Sequence, residues 1–255
     1  MKHFSLSKAV FMAASLALLG LTAANAQEKF SPVIVIHGGT SGLDLTKEEF
    51  KIREEPMKKA LLAGQAVLEK GGNAMDAVTA AIMVLEDDPN FNAGKGAVFT
   101  ADGFNELDAS IMDGSTKKAG AVALDKNGNL AAATSTGGMT NKMTGRIGDS
   151  PIIGSGTYAD NDSVAVSCTG TGDIYMRVNA AHEVSALYKY KTSDVQKAAE
   201  EAVKEVKALG GSGGIISIDK HGHTGFAWTK DKLGMYHGEA RLGAKPIVYW
   251  PLGEK

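Results

Sequence analysis

Residues 129–172 read NLAAATSTGGMTNKMTGRIGDSPIIGSGTYADNDSVAVSCTGTG, a run dense in threonine, serine and glycine. It is too rich in glycine to form a helical core and too patterned for a random linker. Hydroxyls and bare backbone amides stand beside one closely spaced pair of opposite charges, Arg146 and Asp149. That combination suits a small zwitterionic ligand. Taken alone, an Arg and an Asp at this spacing also describe a solvated surface pair.

The flanking sequence supplies strands and helices in a definite order. Val33-Ile34-Val35-Ile36 is a continuous apolar run of strand length, closed by His37-Gly38-Gly39-Thr40, so it reads as a buried strand ending in a glycine loop. Two helices should follow. The first carries Met57, Leu61, Gly64 and Leu68 on one face and stops at Gly71-Gly72. The second is capped by Asn73 and buries Met75, Val78, Ile82 and Leu85. Strands from Ala119 to Asp125 and from Leu130 to Ser135 flank Asn127-Gly128, a hairpin turn. Val164 to Cys168 is a further strand. Helices return from Asp173 to Tyr190, and from a Ser193/Gln196 capping box to about Leu209. Ile215 to Ile218 and Gly225 to Trp228 then pair through a turn at Lys220 to His223. Strands, then helices, then strands again predict an α+β fold of antiparallel sheets with helices outside, not a doubly wound parallel sheet.

Composition narrows the function. In 255 residues, 44% hydrophobic and 22% charged, the net charge is −2, which leaves no footprint for nucleic acid and no polybasic membrane patch. The one cysteine, Cys168, excludes an internal disulfide and a cysteine zinc site, and its apolar neighbours mark it as a buried small side chain. The histidines lack metal-ligand spacing with carboxylates. Lys2, His3 and Lys8 precede an apolar stretch, Ala9 to Leu21, and Ala24-Asn25-Ala26 fits a cleavage site. Residues 1–26 are therefore expected to be a signal peptide, with residues 27–255 a single periplasmic domain that meets no membrane after cleavage.

Three motifs in the first half are His37-Gly38-Gly39, Phe91-Asn92-Ala93-Gly94-Lys95-Gly96 and Glu106-Leu107-Asp108-Ala109-Ser110-Ile111-Met112-Asp113-Gly114. Three in the second half are Ala133-Thr134-Ser135-Thr136-Gly137-Gly138, Gly145-Arg146-Ile147-Gly148-Asp149-Ser150-Pro151 and Ser167-Cys168-Thr169-Gly170-Thr171-Gly172. In this order they resemble the plant-type asparaginase/isoaspartyl peptidase family, threonine-type β-aspartyl peptidases of the N-terminal nucleophile hydrolases. The resemblance spans nearly all of the exported chain. It implies a four-layer αββα sandwich, hydrolysis of L-asparagine or β-aspartyl dipeptides, and a homodimer.

The resemblance also distributes roles. Members of the family cut themselves before a threonine, whose freed α-amine then serves as the base for its own hydroxyl. Thr136 matches the residue that hydrogen-bonds this nucleophile, and Thr169 with the amide of Gly170 matches the oxyanion donors. Arg146 matches the clamp on the substrate carboxylate and Asp149 the partner of its ammonium, within a binding segment of Arg146, Ile147, Gly148, Asp149, Thr169, Gly170, Thr171 and Gly172. No cofactor is implied. A structural sodium ion is, on the backbone carbonyls of Leu85, Glu86, Asp88, Phe91, Ala93 and Lys95, although a capped helix end explains Asp88 equally well.

One departure stands out. Relatives carry several tens of residues between the two halves, ending in Gly-Thr, whereas Asp113-Gly114-Ser115-Thr116-Lys117-Lys118-Ala119-Gly120 runs straight into the next strand. A first-half strand and a second-half strand are fused into one copy. Registering the strand on the family puts Lys118 where the nucleophilic threonine belongs. Thr116 has no free amine in an uncut chain, and removal of the leader exposes Gln27. The expectations are an impaired catalyst and a sandwich with one thinned covering layer.

Overall fold

The computed structural model describes residues 31–252 other than 117, 120 and 121, with the backbone alone at 118 and 119. The expected leader and the cleavage point before Gln27 lie outside the described residues. Strand β1 (Val33–Ser41) opens the fold. Ile34 and Ile36 join one apolar cluster, while Val33 and Val35 join another, the alternation required of a strand covered on both faces. Helix α1 (Lys47–Glu69) starts at a capping box between Thr46 and Glu49, and α2 (Ala74–Asp87) is capped by Asn73 accepting the Asp76 N–H. Met57, Leu61, Gly64 and Leu68 are buried as the periodicity predicts. A Cβ at Gly64 would lie 2.2 Å from Ile34 Cδ1, so the missing side chain is what lets α1 lie on β1.

The chain then forms β2 (Asp108–Asp113), β3 (Lys118–Ala119), β4 (Ala123–Leu124), β5 (Leu130–Thr136), β6 (Thr157–Ala159) and β7 (Val164–Gly170). Helices α3 (Gly172–Val178), α4 (Ala180–Leu187) and α5 (Val195–Ala208) follow, and then β8 (Gly213–Asp219), β9 (Thr224–Trp228), β10 (Gly234–Arg241) and β11 (Ile247–Tyr249). A seven-stranded sheet has the order β11-β10-β1-β4-β5-β2-β3, and a four-stranded sheet the order β6-β7-β8-β9. Val33, Leu124 and Leu130 of the larger sheet meet Ala165, Ile216 and Ile218 of the smaller one in the central cluster. Helices α1 and α2 seal the outer face of the larger sheet; α3, α4 and α5 seal that of the smaller. The result is the αββα sandwich, with every strand pairing antiparallel.

Three local expectations are corrected. The helix predicted from Asp173 to Tyr190 breaks at Asn179 (φ 51°) and ends in a π-turn, Tyr188–Thr192. The cap of α5 is Asp194, which accepts the Lys197 N–H, because Ser193 takes a left-handed φ of 53°. The predicted strand from Ala119 to Asp125 is split, Lys118–Ala119 pairing with β2 and Ala123–Leu124 with β1 and β5.

That split shapes the whole sandwich. β1 has nine residues and β5 seven, but β4, between them, has two. Ala123 faces Ile34 and Ala131, and Leu124 faces Val33 and Leu130. The Val35 N–H still donates to the Val122 carbonyl at 3.3 Å. From Ile36 and Ala133 onward, no strand lies between β1 and β5 among the described residues.

Candidate active and ligand-binding site

A cavity of about 470 Å³ opens where β4 stops, within the usual range for small-molecule sites. Its walls come from β1 and β5, from α2 (Val78, Ala81, Leu85, Glu86) and from the end of β7 (Ser167 to Gly170). Arg146 and Asp149 line the same space.

The turn after β5 is held by residues from distant motifs. Asn92 donates through Nδ2 to the Gly138 carbonyl at 2.7 Å, and the Gly137 N–H donates to the Asn92 carbonyl at 2.8 Å. The buried Lys142 ammonium donates to the carbonyls of Gly137 and Glu106 at 2.6 and 2.5 Å. Thr136 Oγ1 accepts the Gly138 N–H at 2.9 Å. Asp108 fixes the next segment by accepting the Gly148 N–H at 2.8 Å. Glycines then make room for the guanidinium. A Cβ at Gly148 would stand 2.7 Å from Arg146 Nη1, and one at Gly172 would stand 3.1 Å from Arg146 Nη2 and 2.7 Å from Asp149 Oδ1.

Asp149 is 6% exposed, and its Oδ2 has no hydrogen-bond partner. Burial pushes its carboxyl up to about 6, against the pull of Arg146. A buried carboxylate oxygen left open beside a guanidinium offers one donor fork and one acceptor, which is the complement of a zwitterion.

Sequence reasoning missed a chain of hydroxyls in the cavity floor. His37 Nε2 lies 3.0 Å from Ser167 Oγ, which lies 2.7 Å from Thr134 Oγ1; Thr157 Oγ1 donates to Thr134 at 2.7 Å. His37 Nδ1 accepts the Gly39 N–H at 3.3 Å, so the neutral ring carries its proton on Nε2 and donates to Ser167. Burial, and then the nearby His237, lower His37 to about 4 and keep it neutral. A base needs the opposite tautomer, so the His37/Ser167 pair is not arranged as a nucleophile and its base. The histidine of His37-Gly38-Gly39 was visible as part of a motif, but its partner lies 130 residues away. Glu86 was likewise placed in a carbonyl loop, whereas its carboxylate accepts from Ser135 Oγ at 2.5 Å in the cavity wall.

The other expected residues divide clearly. Thr136, Arg146, Asp149, Thr169, Gly170 and Thr171 line the cavity together, and Gly172 abuts Arg146 and Asp149. The Thr171 hydroxyl is spent on the Ser212 carbonyl at 3.1 Å, while Ile147 is 62% exposed and points away. Lys118 pairs with Asp113 on β3, at the outer edge of the larger sheet, with β2 and β5 between it and β4. Thr116 is exposed and donates to Asp113 Oδ2 at 2.8 Å. In the uncut chain every cavity hydroxyl belongs to a residue whose own nitrogen is tied up in a peptide bond, so none has an α-amine base.

The loop from Leu85 to Lys95 folds back on itself. Leu85 and Phe91 carbonyls accept the N–H groups of Asp88 and Ala93. Missing side chains at Gly94 and Gly96 let the Glu86 and Phe91 carbonyls approach, at 2.4 and 2.1 Å from where a Cβ would stand. Lys95 pairs with Asp87 at 2.9 Å.

Comparison with known proteins agrees with this geometry. The asparaginase family profile matches residues 30–123 and 119–244, two stretches that overlap at 119–123. The isoaspartyl peptidase of Salmonella typhimurium (strain LT2) is 35% identical over 306 residues, covering 85% of this chain and 97% of that protein. That of Escherichia coli (strain K12) is 35% identical over 308 residues, with 85% and 95% covered. The isoaspartyl peptidase/L-asparaginase of Homo sapiens is 32% identical over 284 residues, with 80% and 92% covered. Since 85% of 255 residues cannot fill 306 aligned positions, the first relative has residues with no counterpart here. By fold, by motif order and by these matches, the chain belongs to the asparaginase family.

Proposed function

We propose that this protein is an isoaspartyl peptidase/L-asparaginase by descent that keeps the ligand cradle for L-asparagine and β-aspartyl dipeptides and has lost the attacking group. The observation carrying this reading is the five-residue overlap at 119–123, a stretch matched to two parts of the family pattern at once. One strand cannot occupy two positions in a sheet. The stretch is divided between β3 and β4, and among the described residues no strand presents a terminal threonine beside Thr136. An internal deletion that fused the two halves accounts for both facts.

The expected outcome is no self-cleavage and negligible turnover. Incubation with β-aspartyl dipeptides and L-asparagine, followed by aspartate assay and a denaturing gel, tests it; two fragments together with released aspartate overturn the reading. Binding survives in this account. L-Aspartate should bind in calorimetry, and Arg146→Ala should weaken it by roughly ten- to a hundredfold through loss of a charge-assisted contact. Affinity unchanged in that variant removes the cradle.

The same reading includes export to the periplasm, a homodimer, and a sodium ion on the carbonyls of the Leu85 to Lys95 loop. Mass spectrometry of the mature amino terminus, light scattering, and a melt with and without sodium test these in turn.

A further inference from the structure

Among the described residues two arginines line the cavity, Arg146 and, from α1, Arg53. Arg53 Nε donates to the Asn90 carbonyl at 3.1 Å, and Nη1 donates to the Glu49 carbonyl at 3.3 Å and to Tyr236 Oη at 3.5 Å. Its Cζ lies 5.2 Å from the centre of the Tyr236 ring. The guanidinium is thus held on an aromatic face, and its Nη2 donors have no acceptor among the described residues. The neighbouring acids are committed elsewhere. Glu49 accepts from the Thr46 N–H and hydroxyl at 2.9 and 2.8 Å, and Glu54 pairs with Lys58 at 2.8 Å. Asp88 accepts from the Asn90 N–H and Nδ2 at 2.9 and 2.7 Å, and Glu86 accepts from Ser135. No carboxylate among the described residues forms an ion pair with Arg53.

We propose that Arg53 binds the second carboxylate of a β-aspartyl dipeptide, the one on the residue after the isopeptide bond, and so sets a preference for such dipeptides over L-asparagine. The inference rests on the functional reading above, which seats the aspartyl carboxylate and ammonium on Arg146 and Asp149. Placement carries it. Asn90 holds Arg53, and two residues further on Asn92 Nδ2 donates to the Gly138 carbonyl at 2.7 Å. A Cβ at Gly138 would stand 3.0 Å from Arg146 Nη1. Arg53 and Arg146 therefore flank one stretch of wall, whose anchor residues Asn90 and Asn92 are at most about 7 Å apart along the chain. In an extended β-aspartyl dipeptide the two carboxylate carbons are also roughly 7 Å apart. L-Asparagine ends at its amide and leaves Arg53 unused.

The chemistry of the pair fits this division. Arg146 has Asp149 beside it, so it meets a group carrying both charges, whereas Arg53 has no carboxylate partner and suits an anion alone. Val78, Ile82 and Phe91 line the same cavity, which favours an apolar side chain on the second residue. β-Aspartyl-leucine meets all three demands.

Calorimetry with the full chain compares β-aspartyl-leucine with its carboxamide, which lacks only the second negative charge. The acid should bind about tenfold more tightly than the amide, through a charge-assisted contact. In Arg53→Ala that ratio should fall to near one, and Arg53→Lys should keep part of it, each variant shown folded by its melt. Equal binding of acid and amide to the wild-type chain overturns the proposal, and this comparison needs no variant. A purely structural role for Arg53 would weaken acid and amide alike and keep the full ratio in Arg53→Ala, which overturns it too. L-Aspartate separates the two levels of failure. If it binds in an Arg146-dependent way while acid and amide bind equally, the Arg53 subsite falls and the functional reading stands. If neither L-aspartate nor the dipeptide binds, both fall.

Discussion

β7 and β8 are paired residue for residue from Val164 opposite Asp219 to Gly170 opposite Gly213, whereas among the described residues β4 pairs with two residues of each neighbour. The two regions meet at one cavity. The complete ladder ends in Thr169 and Gly170 and leads to Gly172, which abuts Arg146 and Asp149. The interrupted sheet supplies the Ile36 to Gly39 and Ala133 to Thr136 walls of the same cavity.

The largest effect that can break this contrast comes from neighbouring isoleucines on β8. Ile215 is fully buried in the sealed cluster beneath α3, α4 and α5, and Ile216 faces the other way and lines the cavity. Ile215→Ala should cost about 3–4 kcal/mol, through lost transfer energy and a new void. Ile216→Ala enlarges a space that already exists and should cost roughly 1–2 kcal/mol less. Urea denaturation of both variants decides. Equal costs would mean that the space beside β4 is filled and that the two regions are equally packed.

Asp149 sharpens the contrast through pH. Its folded carboxyl sits at about 6, above the ordinary 3.8, so the unfolded chain releases this proton more readily than the folded one. The penalty is absent below about pH 4, grows as pH rises between the two values, and is complete above about 6. Asp149→Asn should therefore be the more stable form at pH 7, by roughly 2 kcal/mol, with the gap closing by pH 4. The same variant should lose affinity for ammonium ligands. Thermal melts across that range, compared with wild type, would show a pH-independent difference if the carboxylate already had a partner.

Much of this was legible in the sequence, for reasons that differ by residue. Periodicity found the buried faces of α1 and β1 because each alternation repeats over several turns or pleats, as with Met57, Leu61, Gly64 and Leu68. Motif order singled out Arg146, Asp149 and Thr169, which lie within short segments and line one cavity. What escaped depends on distance along the chain or on competition between partners. No local pattern joins His37 to Ser167, or Glu86 to Ser135. The strand expected from Ala119 to Asp125 was sound as a propensity, but two neighbours compete for it. Ala119 pairs with Met112 and Ala123 with Ala131, so tertiary pairing overrode a continuous apolar run. The break at Asn179 has a similar cause: the Ala181 and His182 N–H groups donate to the carbonyls of Ser155 and Gly154, which anchors the start of α4 to another segment.

The smallest effect tests whether the hydroxyl chain belongs to the scaffold or to the ligand. Ser167 accepts from His37 and meets Thr134, so it links β1, β5 and β7 across the gap between the sheets. Ser167→Ala leaves the His37 Nε2–H without its acceptor and should cost about 1–2 kcal/mol in urea denaturation. L-Aspartate affinity should hardly change, because the cradle is built from Arg146 and Asp149. His37 also sets the sign of an acid limb. Its folded value near 4 lies below the ordinary 6.5, so stability falls as pH drops through that interval and levels off below it. This runs opposite to Asp149, and in Asp149→Asn the histidine limb should therefore stand out more steeply. A His37→Gln variant that retained the full acid limb would remove His37 as its source, and a Ser167→Ala variant that lost aspartate binding would move the hydroxyl chain from the scaffold into the site.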